Sequence, residues 1–120
     1  MITNKIIIGT ANVNNKYGLR NKNISIKKFK KILNLAKFKG VKMIDTSPSY
    51  SNSEKVIGSS VNKFEVITKI PAIPSNLKKQ EIENWIIKVF KRSSKNLKLN
   101  QVYGLLLQNP DILLSRNSKY

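Results

Sequence analysis

Four short apolar runs recur along this chain, and between them lie stretches with helical spacing. That alternation constrains the fold more than any other feature. Lys5-Ile6-Ile7-Ile8-Gly9 is a β-branched run closed by glycine, the pattern of a strand buried on both faces. Residues 10–24 are rich in Asn, Gly and Lys and read as a loop. Ser25 is a good N-cap, and after it Phe29, Ile32, Leu33 and Ala36 mark the inner stripe of an amphipathic helix. Gly40 suits the position just past that helix's end. Val41 to Asp45 is a second strand, and it ends in a carboxylate. After a loop holding Pro48 and Tyr50, Ser53 caps a short helix to about residue 61, with Val56 and Ile57 inward. Phe64 to Thr68 is a third strand, ending at Lys69. Ile70 to Asn76 contains two prolines and reads as loop. A longer helix runs from about Leu77 to Leu97, its apolar stripe made of Ile82, Trp85, Ile86, Val89 and Phe90. Val102 to Leu107 is a fourth strand, closed by Gln108-Asn109-Pro110, and Asp111 caps one more short turn. Strands joined in this way form a parallel sheet with right-handed crossovers. The 120 residues make one domain, with no internal repeat and no linker.

Composition matters here mainly for what it removes. The chain has no Cys and no His. Within these residues there is no disulfide, no Cys or His metal ligand, no thiol nucleophile and no His-dependent triad. The formal net charge of +17 suggests a polyanion partner. However, 20 of the 23 basic residues are Lys, and only Arg20, Arg92 and Arg116 supply the planar fork that grips phosphate and guanine. Lys, Ile and Asn together make up 51 of the 120 residues. All three have AT-rich codons, so a biased genome gives this composition without any polyanion. The basic residues are also spread over both halves of the chain, not gathered into a patch. No apolar run approaches the ~20 residues of a membrane span, and the N-terminal run is too short for a signal peptide. These features suit a cytoplasmic protein with no membrane span and make nucleic-acid binding the lesser reading of the charge.

Parallel-sheet folds place their chemistry at the C-terminal ends of strands, and in a (β/α)8 barrel those ends converge on one face. Here Asp45, Lys69 and Gln108 occupy three such ends, and Tyr50 lies just past one of them. A tyrosine beside a lysine and an aspartate is suited to giving up a proton. The ammonium stabilises the phenolate left behind, and the carboxylate orients the ammonium. Such a tyrosine can protonate a carbonyl oxygen while hydride reaches the carbon. Each residue also has an ordinary reading. Asp45 can serve as a turn cap, Tyr50 as a half-buried aromatic and Lys69 as one of many surface lysines. Glu54 reads as a helix cap or a lysine's partner, and Trp85 and Phe90 read as core.

The motifs resemble those of the aldo-keto reductases. Gly9-Thr10-Ala11 followed by Tyr17-Gly18 is similar to that family's opening. Ile44-Asp45-Thr46-Ser47-Pro48-Ser49-Tyr50-Ser51-Asn52-Ser53-Glu54, then Ile57-Gly58, resembles its Asp-Thr-Ala, Tyr-Gly-x-Ser-Glu and Leu-Gly sequence. Thr68-Lys69 resembles its Thr-Lys, and Leu105 to Pro110 its Leu-Leu-His-x-Pro. The order and spacing agree over about residues 5–114. The resemblance implies a partial TIM (β/α)8 barrel of about four parallel β/α units, cut after the fourth strand. It implies a catalytic aspartate at Asp45, a general-acid tyrosine at Tyr50 and its lysine partner at Lys69. It also implies hydride from a nicotinamide cofactor, usually NADPH, and a small carbonyl substrate. Two positions depart from the pattern. The family's histidine is Gln108, whose amide can bond a carbonyl but cannot titrate, and the glycine after the tyrosine is Ser51.

The family's cofactor-binding segments belong to the second half of the barrel, so no cofactor residue is assigned in these 120. A second half-barrel is expected to close the sheet, because four parallel strands leave two unpaired edges and an uncovered face. Alone, the chain is expected to bind NADPH poorly and to reduce no aldehyde. Gln108 and the short length leave open a non-catalytic remnant or partner subunit of such an enzyme. A basic polyanion-binding protein is a third possibility, testable by the salt dependence of DNA binding.

Overall fold

The computed structural model describes residues 5–16, 23–60 and 64–113, the side chains of 112 and 113 excepted. The element order is β1 (Ile7–Gly9), α1 (Ile26–Phe38), β2 (Met43–Asp45), α2 (Ser53–Gly58), β3 (Glu65–Ile70), α3 (Lys79–Leu97) and β4 (Gly104–Leu107). A 3-10 turn follows at Pro110–Leu113. The four strands form one parallel sheet in the order β1-β2-β3-β4. Each strand therefore lies beside its neighbour in sequence, with no reversal of direction across the sheet. A doubly wound sheet has such a reversal and a barrel does not, so the sheet is an arc of four barrel strands.

Local chemistry accounts for the helix ends. The Ser25 hydroxyl accepts the Lys28 N–H at 3.3 Å and starts α1. Past Lys39 the chain leaves through Gly40 at φ 77°, a left-handed conformation that costs glycine little. In the first turn of α3 the Glu81 carboxylate accepts the Lys78 N–H at 2.8 Å. There it also complements the positive end of the helix. α2 starts at Ser53 itself, preceded by Asn52, so Ser53 lies inside the helix and is not its cap. In the final turn the Asn109 side chain, not Asp111, accepts the turn's N–H at 3.1 Å.

The strand register sorts side chains onto two faces. Ile8, Ile44 and Val66 are aligned neighbours on one face, where Phe29 and Leu33 of α1, Val56 and Ile57 of α2 and Leu97 of α3 pack against them. Met43, Asp45, Ile67 and Lys69 alternate onto the other face and are only half-buried. That second face is the concave side of the arc, and it carries the site described below.

Two further expectations fail. The Ile6-Ile7-Ile8 run is not buried on both faces: Ile6 and Ile7 are 44% and 48% exposed. A continuous apolar run signals two covered faces, but Ile7 lies on the open concave face, and among the described residues β1 has a neighbour on one side only. Trp85 and Phe90 are half-buried, not core. Ile82 and Val89 are the stripe residues of α3 that are buried, in a helix that packs against α2 and β3. Tyr17-Gly18 lies outside the described residues, and the short helix, expected to reach about residue 61, ends at Gly58 with Ser59 as its C-cap. Among the described residues no helix is long and apolar enough to cross a membrane.

Candidate active site

Buried hydroxyls support the strand ends from below. Thr10, following β1, donates through Oγ1 to Thr46 Oγ1 at 2.9 Å. The Ser53 hydroxyl donates to the Thr10 carbonyl at 3.1 Å. All three side chains are fully buried, so these bonds tie the ends of β1 and β2 to the start of α2 without competition from water. From the sequence Ser53 reads as a helix cap, and Thr10 and Thr46 only as motif residues; the position of the two threonines directly after strands is the signal that marks them.

Glu54 is the most buried carboxylate, at 3% exposure. It was expected as a cap or a lysine's partner and is neither. Its Oε1 accepts the Thr68 hydroxyl of β3 at 2.9 Å, and its Oε2 accepts the Asn96 amide of α3 at 3.3 Å. One carboxylate in α2 thus joins a central strand to the helix that follows it. Two donors offset part of the cost of burying the group. The Gly58 position explains the rest of this junction. A Cβ there would collide with the Asn96 carbonyl oxygen and approach the Leu97 carbonyl carbon and oxygen to 2.8 and 2.9 Å. Glycine is needed for α2 and α3 to pack this closely.

Above this support the concave face presents the expected constellation. Lys69 at the end of β3 donates through Nζ to Asp45 Oδ1 at 2.6 Å and to the Thr46 carbonyl at 3.1 Å. Asp45 and Lys69 lie on adjacent parallel strands and on the same face, so this approach follows from the register. The Lys69 side chain is 12% exposed, against 33% for Asp45. The same ammonium lies 5.1 Å from the centroid of the Tyr50 ring, within cation–π range. Tyr50 reaches it from the β2–α2 loop, where Ser51 adopts φ 47°. The serine therefore keeps the left-handed backbone that glycine adopts more readily, and the turn that carries Tyr50 retains this form.

Gln108 follows β4, and its N–H extends the sheet to the Ile70 carbonyl at 2.9 Å. Its side chain joins the constellation through Ser47, whose hydroxyl donates to Gln108 Oε1 at 2.9 Å. No pattern in the sequence marks Ser47, because its partner lies 61 residues away. All four expected residues, Asp45, Tyr50, Lys69 and Gln108, thus gather at one end of the sheet. Among the described residues no group of three or more acidic side chains could hold a metal ion. The donor set is a phenol, an amide and an ammonium already paired with a carboxylate.

Comparison with known proteins bears on the family and the fold. The model of the Aldo/keto reductase family matches residues 5–115. No curated protein matches the chain by sequence. Two similar solved structures come from Pseudomonas aeruginosa, both of proteins provisionally named aldo-keto reductases. One, PA4992, is 20% identical with a TM-score of 0.66 and is matched over 93% of this chain and 46% of its own. The other is 21% identical with a TM-score of 0.63, over 93% and 45%. The chain spans about half the length of these structures, and at such identity they bear on the fold alone.

Proposed function

Since the chain belongs to the aldo/keto reductase family, we propose that it carries the proton-donating part of a site that reduces a carbonyl to an alcohol. The observation that carries this reading is the Lys69 ammonium, held 2.6 Å from Asp45 and 5.1 Å from the Tyr50 ring centroid. In this reading the Tyr50 hydroxyl gives its proton to the carbonyl oxygen. Lys69 stabilises the phenolate left behind. Asp45 and the Thr46 carbonyl hold the ammonium in place, so its charge is already oriented when the phenolate forms. The Gln108 amide donates to the same carbonyl oxygen. A nicotinamide cofactor, usually NADPH in this family, supplies the hydride that reaches the carbonyl carbon. Hydride and proton together account for the alcohol.

The donor set fits the carbonyl end of this reaction. Phosphates of a dinucleotide would need other cations, since Lys69 is committed to Asp45, and no residue is assigned to hold them. Four further β/α units closing the arc complete the site in this proposal. The half-exposed edges at Ile7 and Leu106 support that requirement.

The test compares the closed barrel with its Tyr50→Phe variant, following NADPH oxidation with a small aromatic aldehyde. Loss of a positioned general acid lowers kcat by about 10²-fold to 10⁴-fold. A Tyr50→Phe enzyme that keeps its rate would place the proton donor elsewhere. The 120-residue chain alone is expected to show neither saturable NADPH binding nor aldehyde reduction.

A further inference from the structure

Gln108 presents a problem of polarity. The two ends of an amide are nearly the same shape, but one donates and the other accepts. A carbonyl substrate is stabilised by the Nε2 hydrogens and repelled by Oε1. Packing does not distinguish the two orientations, so only a partner of fixed polarity can.

We infer that Ser47 is a positioning residue: its hydroxyl locks the Gln108 amide so that the NH2 end is the one offered to a carbonyl oxygen. This inference rests on the reductase reading above. Ser47 is 1% exposed, so its hydroxyl proton needs an acceptor within the protein. The Ser49 N–H already points at Ser47 Oγ, at 3.2 Å. The hydroxyl thereby accepts on one side, and its single buried proton still needs an acceptor on another. Gln108 Oε1, at 2.9 Å, receives that proton. If the amide turned over, two donors would face Ser47 Oγ and the buried hydroxyl proton would lose its acceptor. Leaving such a group unsatisfied is costly. The β2–α2 loop therefore sets the polarity of a side chain at the end of β4. The neutral amide can then act as a pure donor where the family carries a histidine.

The kinetic arm uses the closed barrel and compares the parent with Ser47→Ala, Ser47→Cys, Gln108→Leu and Ser47→Ala/Gln108→Leu. Loss of an oriented donor bond is expected to lower kcat/KM about tenfold in Ser47→Ala. The loss should fall on kcat more than on KM, because the bond strengthens as charge grows on oxygen. In the Gln108→Leu background, Ser47→Ala should cost nothing further, since the residue it acts through is gone. Ser47→Cys, close in size but a weak donor, should fall between parent and Ser47→Ala. A structural arm uses the 120-residue chain, in which the Gln108 side-chain amide should be ordered by 15N relaxation and become mobile in Ser47→Ala.

An active parent that Ser47→Ala matches, or an equal loss in the Gln108→Leu background, overturns the positioning role and leaves the reductase reading intact. A closed parent barrel that reduces no aldehyde overturns the reductase reading and the kinetic role of Ser47 with it. A Gln108 amide equally mobile in the parent chain overturns the locked orientation by itself.

Discussion

The middle of the sheet and its two edges use the same kinds of residue and end in different states. At the middle, Ile44 and Val66 are almost fully buried, and Thr46 and Thr68 have buried hydroxyls that are hydrogen-bonded. At the edges, Ile7 of β1 and Leu106 of β4 are each about half exposed, and Leu105 is 44% exposed. The sequence Ile6-Ile7-Ile8 is no less apolar than Val66-Ile67. What differs is the face as well as the number of neighbours: Ile44 and Val66 lie on the face that the helices cover, and Ile7 and Leu106 on the open concave face. β2 and β3 each have a strand on both sides, whereas β1 and β4 have one. Hydrophobicity therefore shows how much covering a strand needs, and topology decides how much it receives. The Asp45–Lys69 pair lies across the two completed strands, which is why its geometry is already fixed in a sheet whose edges are open.

The sharpest way to break this comparison is to empty the completed part. Leu33 on α1 has no exposed surface and packs in the cluster with Ile44 and Val66. Leu33→Ala is expected to destabilise the chain by about 2–5 kcal/mol, the transfer and cavity terms together. Urea unfolding followed by circular dichroism measures this as a lower midpoint at unchanged slope. A cost near zero would mean that the middle of the sheet is as loosely packed as its edges.

Legibility in the sequence follows the same division. Residues whose partners are set by strand order could be read early. Once the β/α alternation is seen, Asp45, Lys69 and Gln108 fall at strand ends, and the stripe of Phe29, Leu33 and Ala36 faces the sheet. Residues whose role depends on a distant partner could not. Glu54 reads as a helix cap or a lysine's partner, the usual roles of a carboxylate near a helix start, yet its donors lie 14 and 42 residues away. Ser47 carried no signal at all, for the same reason. The exposure of β1 was hidden differently. A run of isoleucines states that two faces want cover, and nothing in the run says whether a second neighbour is present.

A smaller effect tests the junction beneath the site. Gly58 lies where α2 approaches the end of α3 too closely for a side chain. Gly58→Ala should force the helices apart and loosen the bond between Glu54 and Asn96. Overpacking of this kind costs about 1–3 kcal/mol, less than opening the core at Leu33. If the alanine variant unfolds at the parent's urea midpoint, the close approach is not a constraint on the fold.

The smallest effect on stability belongs to the edges, and there it is paired with a large effect on assembly. Ile7 lies in register with Met43, and Leu106 with Lys69, so both residues belong to the concave face at its opposite ends. Each is nearly half exposed within this chain, at 48% and 49%. Ile7→Lys and Leu106→Lys should therefore change the stability of the 120-residue chain by no more than about 0.5 kcal/mol each, as surface substitutions do. In a closed barrel the same two positions turn inward between neighbouring strands, where an unpaired ammonium is costly. The double lysine variant should keep the parent's urea midpoint and fail to join a complementary half-barrel in analytical ultracentrifugation. If the lysines cost as much as Leu33→Ala in the chain alone, the edges are already part of its core. If they leave assembly intact, whatever completes the site approaches from somewhere other than β1 and β4.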